Sequence, residues 1–305
     1  MLNACLLGCG GSIPLPERPL TALSLTTCGR SVLIDCGEGT QVQLRAHRRS
    51  LYDIETICLT HYHADHVAGL PGLLLSMGMC GRSEPVTLIG PEGLERTVAG
   101  LRVVAPELPF PLRLFTLKGE REEVDMEGYR IGAFAVNHRV PCYGYTLTIP
   151  RRGRFDEERA RRLGIPLPYW RRLQQGENVE GFAPEDVLGP PRKGIKVCYC
   201  TDTRPCQAIV EQGKGADLMV LEGLYGAEDR AASAAQKMHM TMSEAVDLAA
   251  QAQPSMLWLT HFSVAMRDPA QYLPGLRKIF PHTMAGETGM EVHFTFQDDQ
   301  SPGRQ

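Results

Sequence analysis

The chain has 305 residues, of which 43% are hydrophobic and 22% charged, and its formal net charge at pH 7 is −3. This composition is typical of a globular protein, and the charge excludes a surface that attracts polyanions over its whole extent. No apolar run approaches the roughly 20 residues of a membrane-spanning helix, and no basic leader precedes the first apolar segment, so we expect a cytoplasmic protein.

The N-terminal part is predicted to begin with short strands. Apolar runs rich in β-branched residues predict three strands and then a helix, at 2–7, 23–27, 31–35 and 41–48. After the first strand, Gly8, Gly10 and Gly11 form a glycine-rich turn that lacks the full GxGxxG spacing, and Pro14 and Pro16 prevent a helix from following it. We therefore interpret this turn as a loop at the rim of a site rather than as a dinucleotide-binding motif.

Residues 60–66, Thr-His-Tyr-His-Ala-Asp-His, are the most informative segment. They place three imidazoles and one carboxylate on a loop between a strand predicted at 51–59 and an apolar helix predicted from 67 onwards, so several side chains can converge on one point. Neutral imidazole suits zinc and similar ions, and a carboxylate adds a harder oxygen ligand. We predict a metal site, for two ions, in preference to an incidental polar turn.

The later elements repeat one theme, an apolar strand whose end carries a potential ligand. The predicted strands lie at 86–90, 114–117, 129–136, 143–149, 197–201, 218–221 and 256–260, and a helix is predicted at 243–251. This mixture of strands and helices predicts an α/β sandwich of two sheets. Three strand ends supply His138, Asp202 and His261, which a two-ion site needs beyond the heptapeptide. Five of the nine histidines lie at these candidate ligand positions.

The ten cysteines lack the paired CxxC spacing of structural zinc sites. Cys198 and Cys200 alternate along a predicted strand, which places both side chains on one face. We expect reduced and buried thiols, with a redox role as the alternative.

Between the two halves lies a segment of different composition, residues 151–192. Its first part contains eight arginines, opposed only by three consecutive acidic residues at 156–158: Arg151, Arg152, Arg154, Arg159, Arg161, Arg162, Arg171 and Arg172. Arginines next to Tyr169 and Trp170 suit a phosphate backbone with exposed bases. A solvated charged helix is the alternative. We interpret the segment as an inserted basic arm and a candidate RNA-binding surface.

The set formed by His61, His63, Asp65, His66, His138, Asp202 and His261 resembles that of the metallo-β-lactamase superfamily. The resemblance implies a four-layer αβ/βα sandwich with a dinuclear site at one edge of two facing sheets. It also implies that His61, His63 and His138 hold one ion, that Asp65, His66 and His261 hold the other, and that Asp202 bridges them. We expect two zinc ions, with manganese or iron as alternatives.

Within the superfamily, the chain resembles the ribonuclease Z family of tRNA 3′-processing endonucleases along nearly its whole length. The matching runs are Gly8-x-Gly10-x-x-Ile13-Pro14, Asp35-Cys36-Gly37-Glu38-x-Thr40-Gln41, Thr60 to His66 continuing into Gly69 to Leu74, His138 with Gly144-Tyr145, and Asp202-Thr203-Arg204. The resemblance implies an endoribonuclease that removes the 3′ trailer of precursor tRNA. It further implies one domain over 1–305 with a tRNA-gripping arm at 151–192, and a homodimer.

The same resemblance implies roles for three catalytic residues. Glu222 follows a predicted strand, and His239-x-Thr241 matches a family signature. His239 would donate a proton to the leaving 3′-oxygen, steered by Glu222. Asp65 would orient or deprotonate the attacking water in addition to binding metal.

The chain departs from the family pattern in its substrate-binding segments. Only Arg18 remains as a cation in the loop after the first strand, and Ser263 alone represents a Ser-Arg-Tyr run. Leu167-Pro168-Tyr169-Trp170 replaces the arm's Gly-Pro pair, and His239-Met240-Thr241 lacks a middle serine. A small-molecule or cyclic-nucleotide phosphodiesterase on the same fold is therefore the alternative function. A non-catalytic RNA-binding protein is disfavoured because all seven ligands are present.

Overall fold

The computed structural model describes residues 1–226 and 230–296. The strands in these ranges are β1 Leu2–Gly8, β2 Ala22–Thr27, β3 Arg30–Ile34, β4 Ile54–Cys58, β5 Val86–Gly90, β6 Leu112–Thr116, β7 Arg121–Met126, β8 Tyr129–Ala135, β9 Tyr143–Arg151, β10 Arg192–Cys200, β11 Leu218–Glu222, β12 Leu257–Thr260, β13 Thr283–Ala285 and β14 Met290–Phe294. The helices are α1 Thr40–Ala46, α2 Ala64–Val67, α3 Leu70–Met79, α4 Leu94–Leu101, α5 Glu157–Arg162, α6 Leu167–Gln174, α7 Gln207–Gly213, α8 Ala231–Lys237, α9 Met242–Ala252 and α10 Leu273–Leu276. Among the described helices, none combines the length and apolar character needed to cross a bilayer.

The strands form two seven-stranded mixed sheets that face each other. One sheet has the order β14-β1-β2-β3-β4-β5-β6 and the other β13-β12-β11-β10-β9-β8-β7. Along β1, Leu2, Ala4 and Leu6 pack into the core between the sheets, whereas Cys5 and Leu7 pack into a second core against helices. This alternation follows from the two-residue period of a strand and confirms the predicted sandwich.

Helices cover the outer faces of both sheets. The α3 residues Leu73, Leu74 and Met77 join the core outside the first sheet, and α7 and α9 pack on the second. Thr241 caps α9, because its hydroxyl accepts the Glu244 N–H while the Glu244 carboxylate accepts the Thr241 N–H. Such a capping box satisfies two backbone donors at the helix start, which fixes where α9 begins.

The carboxyl ends of several strands meet at one edge of the sandwich. Strands β3 to β6 are parallel to one another, as are β10 to β13. At this edge three residues adopt a left-handed backbone just after a strand: Asp35 with φ 63°, Asp202 with φ 48° and His261 with φ 57°. Residues other than glycine adopt this region at an energetic cost, and such conformations concentrate at functional sites.

Residues 152–191 form a small unit inserted between β9 and β10. These two strands are antiparallel neighbours, and Arg151 lies opposite Arg192 where the insertion leaves the sheet. The unit has its own core around Ala160, Ile165 and Leu173. Helix α6 begins at Leu167 with a proline in its first turn, where the missing N–H costs nothing.

All ten cysteines carry free thiols, and seven of them are buried. Cys198 and Cys200 lie in the core between the sheets. Burial raises the pKa of both thiols, so they remain protonated and pack as small apolar groups.

Candidate metal centre

The first group of potential ligands consists of His61, His63, His138 and Asp202. His61 and His63 lie on the loop after β4, His138 follows β8, and Asp202 follows β10. The Nδ1 atom of His63 is 2.8 Å from His61 Nε2 and 3.5 Å from His138 Nε2. Asp202 Oδ2 is 3.7 Å from His61 Nε2. Three imidazoles and one carboxylate oxygen therefore converge on one point.

The second group consists of Asp65, His66 and His261. Asp65 and His66 lie in α2, and His261 follows β12. His261 Nε2 is 3.3 Å from His66 Nε2 and 3.4 Å from Asp65 Oδ2. Asp202 Oδ1 lies 3.3 Å from His66 Nε2 and 3.2 Å from His261 Nε2, so the two oxygens of this carboxylate face different groups. The structure thus brings all seven predicted ligands together, and we refer to these seven residues as the metal-ligand cluster.

The donor set fits metal ions. Asp202 Oδ1 is buried and has no hydrogen-bond partner among the described residues, although two imidazole nitrogens lie close to it. A buried carboxylate oxygen without such a partner is costly unless a cation compensates it. Nitrogen and carboxylate ligands at this spacing suit zinc and related ions.

Charges within the cluster also favour a cation. Burial lowers the pKa of His61 and of His138, so both imidazoles are neutral near pH 7 and can ligate. Burial alone would raise the pKa of Asp202, but His261, His66 and His61 outweigh it and hold the pKa well below its ordinary value. Burial opposes a charge on His261 as well, yet Asp202 and the hydrogen bond to Asp65 raise its pKa to about 10. The same negative electrostatic potential that stabilises a proton on His261 would also stabilise a metal cation at this point.

Asp35 contacts the side of His66 that faces away from the other ligands, a role that the sequence did not predict. Its buried carboxylate lies 2.8 Å from His66 Nδ1 and accepts hydrogen bonds from the Thr60 N–H and hydroxyl and from the Tyr199 hydroxyl. A carboxylate on the far nitrogen of a ligand histidine orients the ring and raises its basicity. The available signal was an acidic residue at the end of the strand before a glycine-rich turn.

The glycine-rich turn after β1 lies against the ligands, as expected for a loop at the rim of the site. A Cβ atom on Gly11 would come within 2.8 Å of the His261 ring, so only glycine fits there. The next residue, Ser12, donates its N–H to Asp65 Oδ2 at 2.8 Å. This bond orients the carboxylate of Asp65 toward the cluster.

Glu222 and His239 form a hydrogen-bonded pair at the edge of the cluster. His239 Nδ1 lies 2.9 Å from Glu222 Oε2, and the Thr203 N–H donates to Glu222 Oε1 at 2.6 Å. The Arg204 guanidinium donates to the carbonyl of His239 at 2.5 Å and forms a salt bridge with Glu244. Residues 202–204 therefore connect a candidate metal ligand to the candidate proton donor.

Arg18 does not face solvent as a free cation. Its guanidinium donates to the carbonyls of Ser263, Met266 and Arg267 and lies 5.9 Å from the centre of the Phe262 ring. It therefore holds the segment after His261 in place.

The arm arginines lie on the surface of the inserted unit. Seven of the eight are exposed, and Arg151 is half-buried with its guanidinium 5.0 Å from the centre of the Phe296 ring. Arg161 pairs with Glu157 at 3.4 Å, and Arg172 pairs with Glu177 at 2.8 Å.

Comparison with known proteins adds independent information. Residues 21–145 match a family model described as the metallo-beta-lactamase superfamily, and residues 177–262 match a beta-lactamase superfamily domain. A protein named ribonuclease Z from Lachnoclostridium phytofermentans is 48% identical over 304 residues, which cover 98% of this chain and 100% of the relative. One of the same name from Clostridium kluyveri is 44% identical at the same coverage of both chains. The crystal structure of the short form of human tRNase Z matches the fold with a TM-score of 0.71 and 23% identity, over 96% of this chain and 100% of that chain.

Proposed function

The chain belongs to the ribonuclease Z family of the metallo-beta-lactamase superfamily, and on this premise we propose that it is a metal-dependent endoribonuclease. It hydrolyses a phosphodiester bond at the 3′ end of precursor tRNA and removes the 3′ trailer. The observation that carries this proposal is the Glu222–His239 pair beside seven converging ligand side chains. A hydrolase of RNA needs both a way to activate water and a proton donor for the leaving oxygen.

We propose two zinc ions as the metal content, with manganese or iron as alternatives of similar ligand preference. His61, His63 and His138 would hold one ion, Asp65, His66 and His261 the other, and Asp202 would bridge them. When bound, the ions lower the pKa of a water and neutralise charge on the attacked phosphate.

The protein side chains supply orientation and a proton. Glu222 accepts from Nδ1 of His239, which leaves Nε2 as the atom that can donate a proton to the leaving 3′-oxygen. Asp65, fixed by the Ser12 N–H, orients the attacking water or accepts its proton. Arg204 fixes the backbone of His239, so the imidazole keeps its direction during turnover.

The arm at 151–192 is our candidate for holding the body of the tRNA. It carries exposed arginines on a unit with its own core, inserted between β9 and β10 of the sheet. Guanidinium groups bind phosphates in bidentate fashion without reading sequence, which suits a structured RNA whose body is shared among many substrates.

We further propose a homodimer. On α3, Pro71, Leu75 and Met79 follow one another at four-residue spacing; Pro71 and Leu75 are half-buried, and Met79 is 85% exposed. Such an apolar stripe on an outer helix is typical of a surface that another protein covers. The variant Leu75→Glu, Met79→Glu should elute from a sizing column as a monomer, whereas Asp247→Asn, exposed on α9 outside the other sheet, should leave the dimer intact.

A cytoplasmic location is part of the proposal. Precursor tRNA is present there, and ten free thiols suit a reducing compartment.

The decisive experiment is cleavage of a precursor tRNA that carries a 3′ trailer, with the products mapped to single nucleotides. We expect one cut next to the end of the acceptor stem, and none with Asp202→Asn purified in parallel. Hydrolysis of a small aryl phosphodiester without any cut in the precursor would contradict the proposal and restore the small-molecule alternative, which family membership does not favour.

A further inference from the structure

A cavity of about 230 Å³ is lined by residues that follow Glu222 and His261 closely in the chain. Its walls come from the segments that follow β11 and β12, which also carry Glu222 and His261. Tyr225 is three residues beyond Glu222, and Ser263 is two residues beyond His261. Because an extended chain advances at most about 3.6 Å per residue, the Cα atoms of Tyr225 and Ser263 lie within about 11 Å of those of Glu222 and His261, respectively. A nucleotide joined to the scissile phosphate can reach this distance.

The lining has the chemistry of a nucleotide site. Tyr225 and Tyr272 are half-buried, and neither hydroxyl has a hydrogen-bond partner among the described residues. Arg230, also in the lining, is exposed and forms no ion pair within the described part of the chain. Aromatic faces stack on bases of any sequence, and guanidinium groups bind phosphate. The Lys237 ammonium, 5.9 Å from the centre of the Tyr225 ring, adds positive charge.

Hydrogen bonds fix the backbone segments that line the cavity. The Met242 N–H donates to the Tyr225 carbonyl at 2.8 Å, and the Ser263 N–H donates to the Leu224 carbonyl at 3.2 Å. On the opposite wall, Arg18 fixes the carbonyls of Ser263 and Met266. The Tyr272 ring lies so close to the backbone of Gly226 that a Cβ there would sit 2.1 Å from it. A preformed aromatic site loses little entropy when it binds a base.

We propose that this cavity is a subsite for one nucleotide directly bonded to the scissile phosphate. The base stacks on Tyr225 and Tyr272, and Arg230 contacts a neighbouring phosphate. The proposal rests on the proposed function, since it assigns a place to part of the RNA substrate. The subsite would supply base contacts that residues 264–266 cannot provide, because Val264, Ala265 and Met266 carry neither an aromatic ring nor a positive charge.

The experiment couples a protein change to a substrate change. Wild type and Tyr225→Ala are each assayed on the intact precursor and on two precursors made abasic, one at the nucleotide 5′ of the cut and one at the nucleotide 3′ of it. Loss of base–aromatic stacking predicts that one abasic site lowers kcat/KM for wild type about tenfold, which corresponds to about 1.4 kcal/mol. That same abasic site should lower kcat/KM of Tyr225→Ala less than about threefold, because the stacking partner is already gone.

Three further variants serve as controls. Tyr272→Ala should show the same coupling to the same nucleotide, and Tyr225→Phe, which keeps the ring, should remain sensitive to the abasic site. Tyr52→Ala removes an exposed tyrosine just before β4, at the edge where the parallel strands begin, and should leave that sensitivity unchanged. Equal abasic effects in wild type, Tyr225→Ala and Tyr272→Ala would overturn the subsite. Failure of wild type to cleave the intact precursor would instead overturn the proposed function.

Discussion

The metal-ligand cluster and the arm differ in how firmly the rest of the chain holds them. His61, His66, Asp202 and His261 are at most 2% exposed, and two of them take left-handed backbone conformations. The arm arginines are mostly exposed and stand on a unit with a separate small core. One region is fixed by contacts from both sheets, and the other is attached through two strands.

This difference separates chemistry from substrate choice. A change in the cluster alters groups that touch several elements at once, so its effect should not depend on which phosphodiester is offered. A change in the arm should matter only for a substrate large enough to reach it.

The largest effect is expected from Asp202→Asn. The two Asp202 oxygens face different ligand groups, and an amide cannot supply both negative charge and bridging oxygens. We expect loss of at least one bound metal ion and a fall in kcat of about 10³-fold or more on every substrate. Metal content by elemental analysis and kcat on RNA and an aryl diester are the measurements. Asp247→Asn, exposed on α9, is the matched control, and full metal content in Asp202→Asn would contradict the bridging role.

The fall in kcat caused by His239→Ala should depend on the leaving group of the substrate. An RNA 3′-oxygen needs a proton as it departs, so kcat on precursor tRNA should fall about 10²–10³-fold. A nitrophenolate leaves without one, so an aryl diester should lose far less. His293→Ala, at a histidine whose side chain is 73% exposed, should change neither rate. Equal losses on both substrates would assign His239 to binding or structure instead of proton donation.

Replacing residues 152–191 by Asn-Gly should remove the arm without harming the sheet. Arg151 already pairs with Arg192 across β9 and β10, and Asn-Gly closes a two-residue hairpin. We expect kcat/KM on precursor tRNA to fall about 100-fold, mainly through KM, because many phosphate contacts are lost together. Hydrolysis of an aryl diester should persist. Unchanged tRNA cleavage would show that the arm does not bind substrate.

Arg204→Gln should have a smaller effect that depends on His239. The guanidinium fixes the His239 carbonyl and Glu244, so its loss should lower RNA cleavage about tenfold, as supporting hydrogen bonds typically do. In the His239→Ala background the same change should cost nothing further. An additive loss in the double variant would place Arg204 in a separate role.

The sequence predicted the convergence of the candidate ligands, but not the residues that support them. Most candidate ligands follow β4, β10 and β12, parallel strands that end at one edge of the sandwich, so residue type and position after a strand were sufficient to nominate them. Asp35 was different, because its role depends on Thr60, His66 and Tyr199 arriving from three other elements. Sequence order alone does not show which side chains such packing brings together.

Two features that the sequence did not reveal both involve charged residues. The β7 run Arg-Glu-Glu-Val-Asp-Met is rich in charge because it forms an exposed edge of its sheet. The sequence indicated that Arg18 is the one cation of its loop, but in the structure its guanidinium donates hydrogen bonds to backbone carbonyls of residues 263–267. A charged residue in a sequence does not reveal whether its partner is solvent, substrate or its own backbone.

The smallest effects are expected from single arm arginines. The salt dependence of RNA affinity is the measurement that detects them. Arg159, Arg162 and Arg171 are exposed, and none forms an ion pair with a described residue. Each phosphate contact contributes roughly 0.7–0.9 to the slope of log affinity against log salt, so changing all three to Gln should flatten the slope by about 2. Affinity at moderate salt should weaken a few-fold per residue, measured by titration with precursor tRNA. Arg113→Gln, on β6 at the edge where the parallel strands begin, should leave the slope as it is. An equal flattening by Arg113→Gln would mean that net charge, rather than the arm, attracts the RNA.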